Sequence, residues 1–553
     1  MGIFVNEVGY FKNSVKRATV LAPGEYKVVD KGTGKEVYCD KAFSVGLDAS
    51  SGDDCYIFDF SNVSGDGSYV IESLNGEDVS DTFVISNNVY DDLMMNLIKC
   101  LHYQRCGCEL KKEHVGVYTH ACCHSKTSIM LEDYVNKAAA PKTFDMTGGW
   151  HDAGDFGKYI SPAAVTVGHI LYAFELYEDK MSMELNIPET GNGIPDCLNE
   201  VKYELDWMLK MQDENGGVYH KVTGFNHCAF QMPEDDHDQM LVYAVSSMAT
   251  GDFAASMAIA SRVYRKYDKE YADKTLAAAR KAFDWLTKND YVGFKNPVGS
   301  NTGEYKDSSD ADERMWAAAE MLRSDPEGNT SAYQEMLEKY VFSDIPKTDF
   351  GWTDVAGFTL LSVLTDEKHL AGEKVEKVLY EALFGEADKL IDIMNNSGYE
   401  LAMEPDDFVW GSNMVVTNRG ILFVLAAWLL ENKREAAAYT KKEVSDFIKA
   451  AQNQANYVLG RNALGRSYVT GFGEHAFKNP HNRPTASDGI DDPMPGWVSG
   501  GPFKNFMDPD ALREIPKGTK PMKCHADVVG SYSTNEITIY WNSSMVLMMA
   551  GIM

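Results

Sequence analysis

Asp152 and Asp155 stand three residues apart in GGWHDAGDFGKY (148–159), among glycines and directly after His151. Two carboxylates at that spacing suit three kinds of chemistry. They can cap a helix starting near Phe156 while the glycines make a turn, the commoner role of an arbitrary DxxD. They can hold a metal, although an EF-hand fits poorly because Gly154 and Phe156 occupy positions that need oxygen donors. They can also form half of an acid and base pair that cuts a polymer. The string alone leaves all three open.

Another carboxylate, Glu536, lies in DVVGSYSTNEITIYWNSS (527–544), after a polar run and before an apolar segment. At such a border between cleft and core a carboxyl resists ionisation and can keep its proton near neutral pH, as a general acid must. A glutamate favouring a helix dipole at a helix start fits the same position equally well. Cys106, Cys123, His124 and His151 form a further constellation of thiolates and imidazoles, the usual ligands of zinc, although their scattered spacing alone is a weak signal and free buried cysteines are the default. Cys108 and Cys122 are near enough in sequence to compete with them. Five of the ten cysteines fall between residues 100 and 123, and in so large a chain that clustering favours metal ligation over a disulfide framework.

The elements that must position these residues change character along the chain. Up to residue 86 the pattern is short β-type runs, RATVL (17–21), EYKVVD (25–30), CYIFDF (55–60), GSYVIES (67–73) and DTFVIS (81–86), bounded by turn residues. That spacing predicts a small antiparallel, immunoglobulin-like sandwich. From residue 87 the period shifts from 2 to 3.6, with Leu93, Leu97 and Leu101 on one stripe, which marks a domain boundary. Helices are predicted at 200–212, 255–267, 273–288, 313–323 and 444–460, separated by long loops rich in Gly, Pro and aromatics. About a dozen helices without a fixed repeat predict an α/α barrel over 87–553 rather than a solenoid.

With 82 acidic against 52 basic residues the formal charge is −30, which repels phosphate backbones and anionic lipid. No nucleic-acid or membrane partner is expected, and no stretch approaches the roughly 20 apolar residues of a bilayer span, so a soluble monomer is expected. The start MGIFVNEVGYFKNSVKR carries no secretory pattern. A cytoplasmic protein, or a secreted one whose signal has been removed, is the expectation.

GGWHDAGDFGKY, YVTGFGEHAFKNPHNRP (468–484) and DVVGSYSTNEITIYWNSS resemble the three signature blocks of glycoside hydrolase family 9, the inverting cellulases. VNEVGY (5–10) and YQRCG (103–107) resemble the starts of the sandwich and barrel in the subgroup carrying both. The resemblance implies an immunoglobulin-like domain followed by an (α/α)6 barrel whose cleft binds β-1,4-glucan. It implies Asp155 as general base, Asp152 as a holder of the attacking water, and Glu536 as general acid, with Tyr532 beside it. His481 and Arg483 correspond to substrate-binding residues. His475 stands where the pattern usually has Asn, and PHNR replaces the more usual PHHR or PHDR.

The same resemblance implies a structural zinc on Cys106, Cys123, His124 and His151. It also implies a calcium loop in DSSDADERMWAA (307–318), with Asp312 and Glu313 as ligands and Asp354 as a third; acids in a first helical turn are the alternative for that stretch. Trp352, Trp410 and Trp497 in Gly-rich loops are candidates for stacking on pyranose faces. The expected activity is endo-acting hydrolysis of β-1,4-glucan. The alternatives are an exo-acting cellodextrinase or cellobiohydrolase, a non-catalytic glucan-binding protein and a zinc hydrolase.

Overall fold

The structure, a computed structural model, describes residues 2–74 and 76–553. Its N-terminal part is a sandwich of two sheets. One runs Ile3–Phe4, Arg17–Val20, Asp54–Asp59, Phe43–Leu47; the other runs Gly9–Tyr10, Phe83–Ile85, Gly67–Ser73, Glu25–Asp30, Lys35–Lys41. Tyr26 and Val28 point inward at period 2, and between the sheets Tyr10 meets Phe60 and Phe83 edge to face at 5.3 and 5.5 Å. Arg17–Val20 breaks the alternation because its other face is also covered. Thr19 Oγ1 donates to the Gly398 carbonyl and Arg17 pairs with Glu400, both in the helical part.

From Asp91 onward helices dominate. Among the described residues, six are buried on nearly all sides: Ile160–Leu176, Ser247–Val263, Ala311–Ser324, Gly357–Leu364, Ser412–Asn432 and Ile539–Ile552. They form the inner ring. Between them in sequence lie amphipathic outer helices: Asp91–Tyr103, Asp196–Lys210, Lys269–Lys288, Thr330–Val341, Glu373–Asn395 and Val444–Val458. In Lys269–Lys288 the buried side chains Thr275, Ala279, Ala282 and Leu286 recur at helical spacing and leave the lysines outside. This alternation is the (α/α)6 barrel.

One expectation needs correcting. Ser412–Asn432 does have the length and apolar composition of a membrane span, with a mean hydropathy of 1.5 over its most apolar window. Of that window 78% is buried in the protein, because an inner-ring helix meets neighbours on every side and so needs no polar face. A second finding lies outside the predicted helices. A five-stranded sheet of very short strands, ordered Thr143–Phe144, Ser128–Met130, Leu241–Val242, Lys221–Thr223, Lys158–Tyr159, pairs Lys158 with Val222 and so fixes the end of the DAGD segment.

The architecture gives the inner ring a shared mouth. Each inner helix is preceded by an irregular segment, and the segments ending in Tyr159, Ser246, Asp310, Ala356, Gly411 and Thr538 all open toward the same end.

Candidate active site

At that mouth lies a cleft of about 390 Å³ lined by Asp152, Asp155, Tyr159, His227, Tyr305, Trp352, Trp410, Glu536, Tyr540 and Trp541, with Ala153, Gly303, Glu304 and Thr538 between them. Every one of the six segments, or the first turn of its helix, contributes. The three sequence-predicted carboxylates are therefore brought together.

Backbone pairing holds them. His151 N–H donates to the Gln104 carbonyl at 2.7 Å, Asp152 N–H to the Gly157 carbonyl at 2.9 Å, and Ile539 N–H to the Asp152 carbonyl at 2.9 Å, which sews the DAGD turn to the segment carrying Glu536. The PHNR block completes the frame: His481 pairs with Glu536 in a parallel bridge, and Arg483 donates to the Gly154 carbonyl from its backbone and from Nη1. A Cβ on Gly154 would stand 2.0 Å from the His481 carbonyl oxygen, so only glycine fits between the two aspartates.

The electrostatics divide the three carboxylates. Burial by itself would raise Asp155, but His227, the Arg483 charge and the Gly157 N–H outweigh it and hold Asp155 well below the ordinary carboxylate range. His227 Nδ1 lies 3.3 Å from Asp155 Oδ2, the Gly157 N–H donates to the same oxygen at 3.1 Å, and the Tyr159 hydroxyl does so at 3.2 Å. Asp152 receives only the Tyr305 hydroxyl at 2.5 Å, and burial together with the Asp155 charge pushes it well up. Burial, then the charges of Asp155 and Asp152, push Glu536 well above its usual value, against the opposing pull of Arg483. The surroundings thus push one carboxylate down and the other two up.

His481 and Arg483 do not line the central cleft. Arg483 spends Nε and Nη2 on the Cys228 carbonyl at 3.1 Å and Nη1 on Gly154, so its donors clamp backbone while its charge reaches both Asp155 and Glu536. His481 donates through Nδ1–H to the Val529 carbonyl at 2.7 Å and packs edge to face between Phe230 and Tyr532. Tyr532 is half-buried against Trp410, 5.6 Å between rings. Trp352 and Trp410 do line the cleft. Trp497 does not: it is 1% exposed and packs with Phe477, Met494 and Ile537 in the core.

Sequence reasoning missed His227, Tyr159, Tyr305, Tyr540 and Trp541. Tyr305 is notable for a left-handed backbone, φ 42°, a costly conformation for an aromatic residue that here aims its hydroxyl at Asp152. The only sequence signal for His227 and Tyr305 is their place in long irregular stretches ahead of buried helices.

Two metal-type clusters flank the cleft. Donor atoms of Cys106, Cys123, His124 and His151 all lie within 4.8 Å of one another, while Cys108 and Cys122 stay outside. The His124 ring also meets Asp236 Oδ2 at 3.2 Å. In the other cluster Asp312 and Glu313 converge with Asp307, which the sequence reading did not single out. Asp354 stands apart from this trio but within electrostatic reach of Asp312, and burial and that charge push it up to about 7. Both carboxyl oxygens of the buried Asp252 and Glu313 lack geometric hydrogen-bond partners among the described residues; burial raises both groups, with the charges of Asp312 and Asp307 adding at Asp252 and those of Asp312 and Asp252 adding at Glu313.

Comparison with known proteins agrees with this geometry. Residues 90–549 match glycosyl hydrolase family 9, and residues 1–77 match the cellulase N-terminal ig-like domain. A cellodextrinase of Butyrivibrio fibrisolvens is 40% identical over 100% of this chain and 99% of its own, and endoglucanase D of Acetivibrio thermocellus is 35% identical over 99% and 83%. The crystal structure of a thermostable endoglucanase from Alicyclobacillus acidocaldarius superposes with a TM-score of 0.89 at 32% identity, covering 100% of this chain and 99% of that one. The fold and cleft are those of a glycoside hydrolase. The chain belongs to glycosyl hydrolase family 9, in its form with an N-terminal immunoglobulin-like domain.

The Gly154 contact yields a prediction. Gly154→Ala must displace either the PHNR segment or the cleft-lining aspartates, and a displacement of about 1 Å at a reacting site costs on the order of 100-fold. Hydrolysis assays should show kcat reduced by about that factor while circular dichroism reports a folded barrel; an unchanged kcat would contradict the packing described.

Proposed function

We propose that the chain is an endo-acting β-1,4-glucanase of inverting mechanism, working on cellulose, soluble β-glucans and cello-oligosaccharides. The observation that carries this reading is the convergence of Asp152, Asp155 and Glu536 on one cleft, in surroundings that lower Asp155 and raise Glu536. Trp352, Trp410 and Trp541 add flat apolar faces of the kind on which pyranose rings stack.

In this reading a water held by Asp152 and Asp155 attacks the anomeric carbon from the face opposite the leaving sugar. Asp155 takes the water's proton as the new C–O bond forms. Glu536 gives its proton to the glycosidic oxygen as the old bond breaks. Afterwards Asp155 carries a proton and Glu536 has lost one, and exchange with solvent restores both. Neutral Asp152 can orient the water without adding a second negative charge beside Asp155. A division of the chain at residues 86 and 87 goes with this assignment.

Asp155→Asn and Glu536→Gln should each lower kcat by about 10²- to 10⁴-fold. The pH profile follows from the signs. Lowering of Asp155 keeps the base ionised into acid, and raising of Glu536 keeps the acid protonated past the usual carboxylate range. The wild-type curve should therefore fall on the alkaline side as Glu536 ionises, and that limb should vanish from the residual activity of Glu536→Gln. An unaffected kcat in either amide variant would remove the assignment.

Endo action should appear as rapid viscosity loss of carboxymethylcellulose, and inversion as α-anomeric products from cellopentaose by NMR. A second reading, an exo-acting cellodextrinase, is favoured by the 40% identity to the Butyrivibrio fibrisolvens cellodextrinase across the whole chain. It predicts short products at near-constant viscosity. Release of β-anomers would reject inversion in both readings.

The two clusters support metal sites of structural type. Two thiolates and two imidazoles converging in the interior fit a closed tetrahedral zinc site on Cys106, Cys123, His124 and His151, which would pin the turn before Asp152. The unpartnered oxygens of Glu313 beside Asp307 and Asp312, with Asp354 facing Asp312, fit calcium, whose charge would offset the repulsion that raises them. Elemental analysis should find zinc lost from Cys123→Ser and calcium lost from Glu313→Gln. Metal contents equal to wild type would reject the ligand sets.

A further inference from the structure

A third group of ligating side chains lies far from the cleft, where the sandwich meets the barrel. Glu7 comes from the VNEVGY segment, Asp81 from the last stretch of the sandwich, and His475 from the GFGEH loop of the barrel. One donor atom from each lies within 4.8 Å of the others. His475 Nδ1 stands 2.9 Å from Asp81 Oδ1, and the His475 backbone N–H donates to Glu7 Oε2 at 2.7 Å.

The place is shaped around the Glu7 carboxylate. A Cβ on Gly460 would meet Glu7 Cγ at 2.8 Å, and a Cβ on Gly473 would meet Glu7 Oε2 at 2.5 Å, so two glycines, both at positive φ, leave room for this side chain. The Glu7 N–H is anchored on the Leu459 carbonyl at 2.9 Å. Glu7 is 6% exposed, yet its Oε1 is buried without any hydrogen-bond partner. An unpaired buried carboxylate oxygen is expensive, and an unmet charge here is made worse by a second buried acid, Asp81, and by the nearby Glu474. His475 carries at most one positive charge against those acids. Its side chain is 54% exposed, which leaves one side of the group open to solvent and to entering ions.

We propose that Glu7, Asp81 and His475 bind a divalent transition-metal ion of the zinc type, with water in the remaining positions, as a staple between sandwich and barrel. One imidazole and two carboxylates are an N,O,O donor set that suits zinc; the imidazole disfavours calcium and magnesium. The ion would neutralise both buried acids and give Glu7 Oε1 the partner it lacks. Because the three ligands belong to both structural units, the ion would stabilise only their docked arrangement.

Equilibrium dialysis against micromolar Zn²⁺ at neutral pH, followed by elemental analysis, tests this. Wild type should hold one more equivalent than His475→Asn and one more than Glu7→Gln, with both variants folded by circular dichroism. Cys123→Ser serves as the control for the other proposed zinc site. Combined with His475→Asn, its loss of metal should add to theirs, and this difference count is independent of whether the cysteine site fills. Equal zinc in wild type and in folded His475→Asn or Glu7→Gln would overturn the proposal.

Discussion

The charge on Asp155 is the constraint on which the site depends. A buried carboxylate stays ionised only when donors replace the water it has lost. Here they come from separate parts of the chain: Gly157 and Tyr159 just downstream, His227 from the segment before another inner helix, and Arg483 from the PHNR block. Once Asp155 is charged, its field adds to burial, the larger cause, in pushing Asp152 and Glu536 up. Donors thus act on Asp155 in one direction, while burial and its charge act on Asp152 and Glu536 in the other. The packing that allows the donors to arrive, above all the missing Cβ of Gly154, matters as much as the carboxylates themselves.

The barrel explains why distant residues meet. Inner helices that alternate with outer ones run in the same sense, so their N-terminal ends share one rim, and the segments entering them form the cleft. That rim also collects helix N-termini, whose partial positive charge favours an anion at the mouth. The inner helices can be apolar all round, as Ile160–Leu176 is, because the outer ring supplies the polar surface. Chemistry is therefore confined to the entering segments, where irregular backbone such as that of Tyr305 is tolerated because the scaffold behind it is rigid.

What the sequence made legible follows the same division. Strand Glu25–Asp30 and the helix beginning at Val444 were readable because one face is buried and one is wet, and that contrast prints a period. Lys35–Lys41 and Phe43–Leu47 were not, since almost all their side chains are exposed and no alternation results. Ile160–Leu176 and Ile539–Ile552 were missed for the opposite reason, burial on every side. Asp152, Asp155 and Glu536 were found through long motifs. Trp410 and Trp497 look alike in sequence, each next to a glycine, but one is 42% exposed at the rim and the other sits in the core, a difference that only tertiary packing creates. His227 had no motif to announce it; its meaning comes entirely from standing beside Asp155.

The junction of the two units obeys the logic of the cleft at a larger scale. Glu400 has a left-handed backbone, φ 47°, and accepts Arg17 from the sandwich at 2.6 Å and Arg461 from the barrel at 2.7 Å. Arg461 is fully buried, and its other side-chain partner among the described residues is Asn453. Arg17 in turn is balanced by Asp59 of its own sheet at 2.8 Å. Breaking a buried pair by removing one partner costs about 3–5 kcal/mol, a large share of the roughly 5–15 kcal/mol that holds an ordinary domain together. The carboxylate is therefore satisfied only when both structural units are in place. Because Thr19, Asp48 and Asn6 add neutral and charge-assisted hydrogen bonds across the same junction, the sandwich is part of the barrel's stability and not an appendage to it.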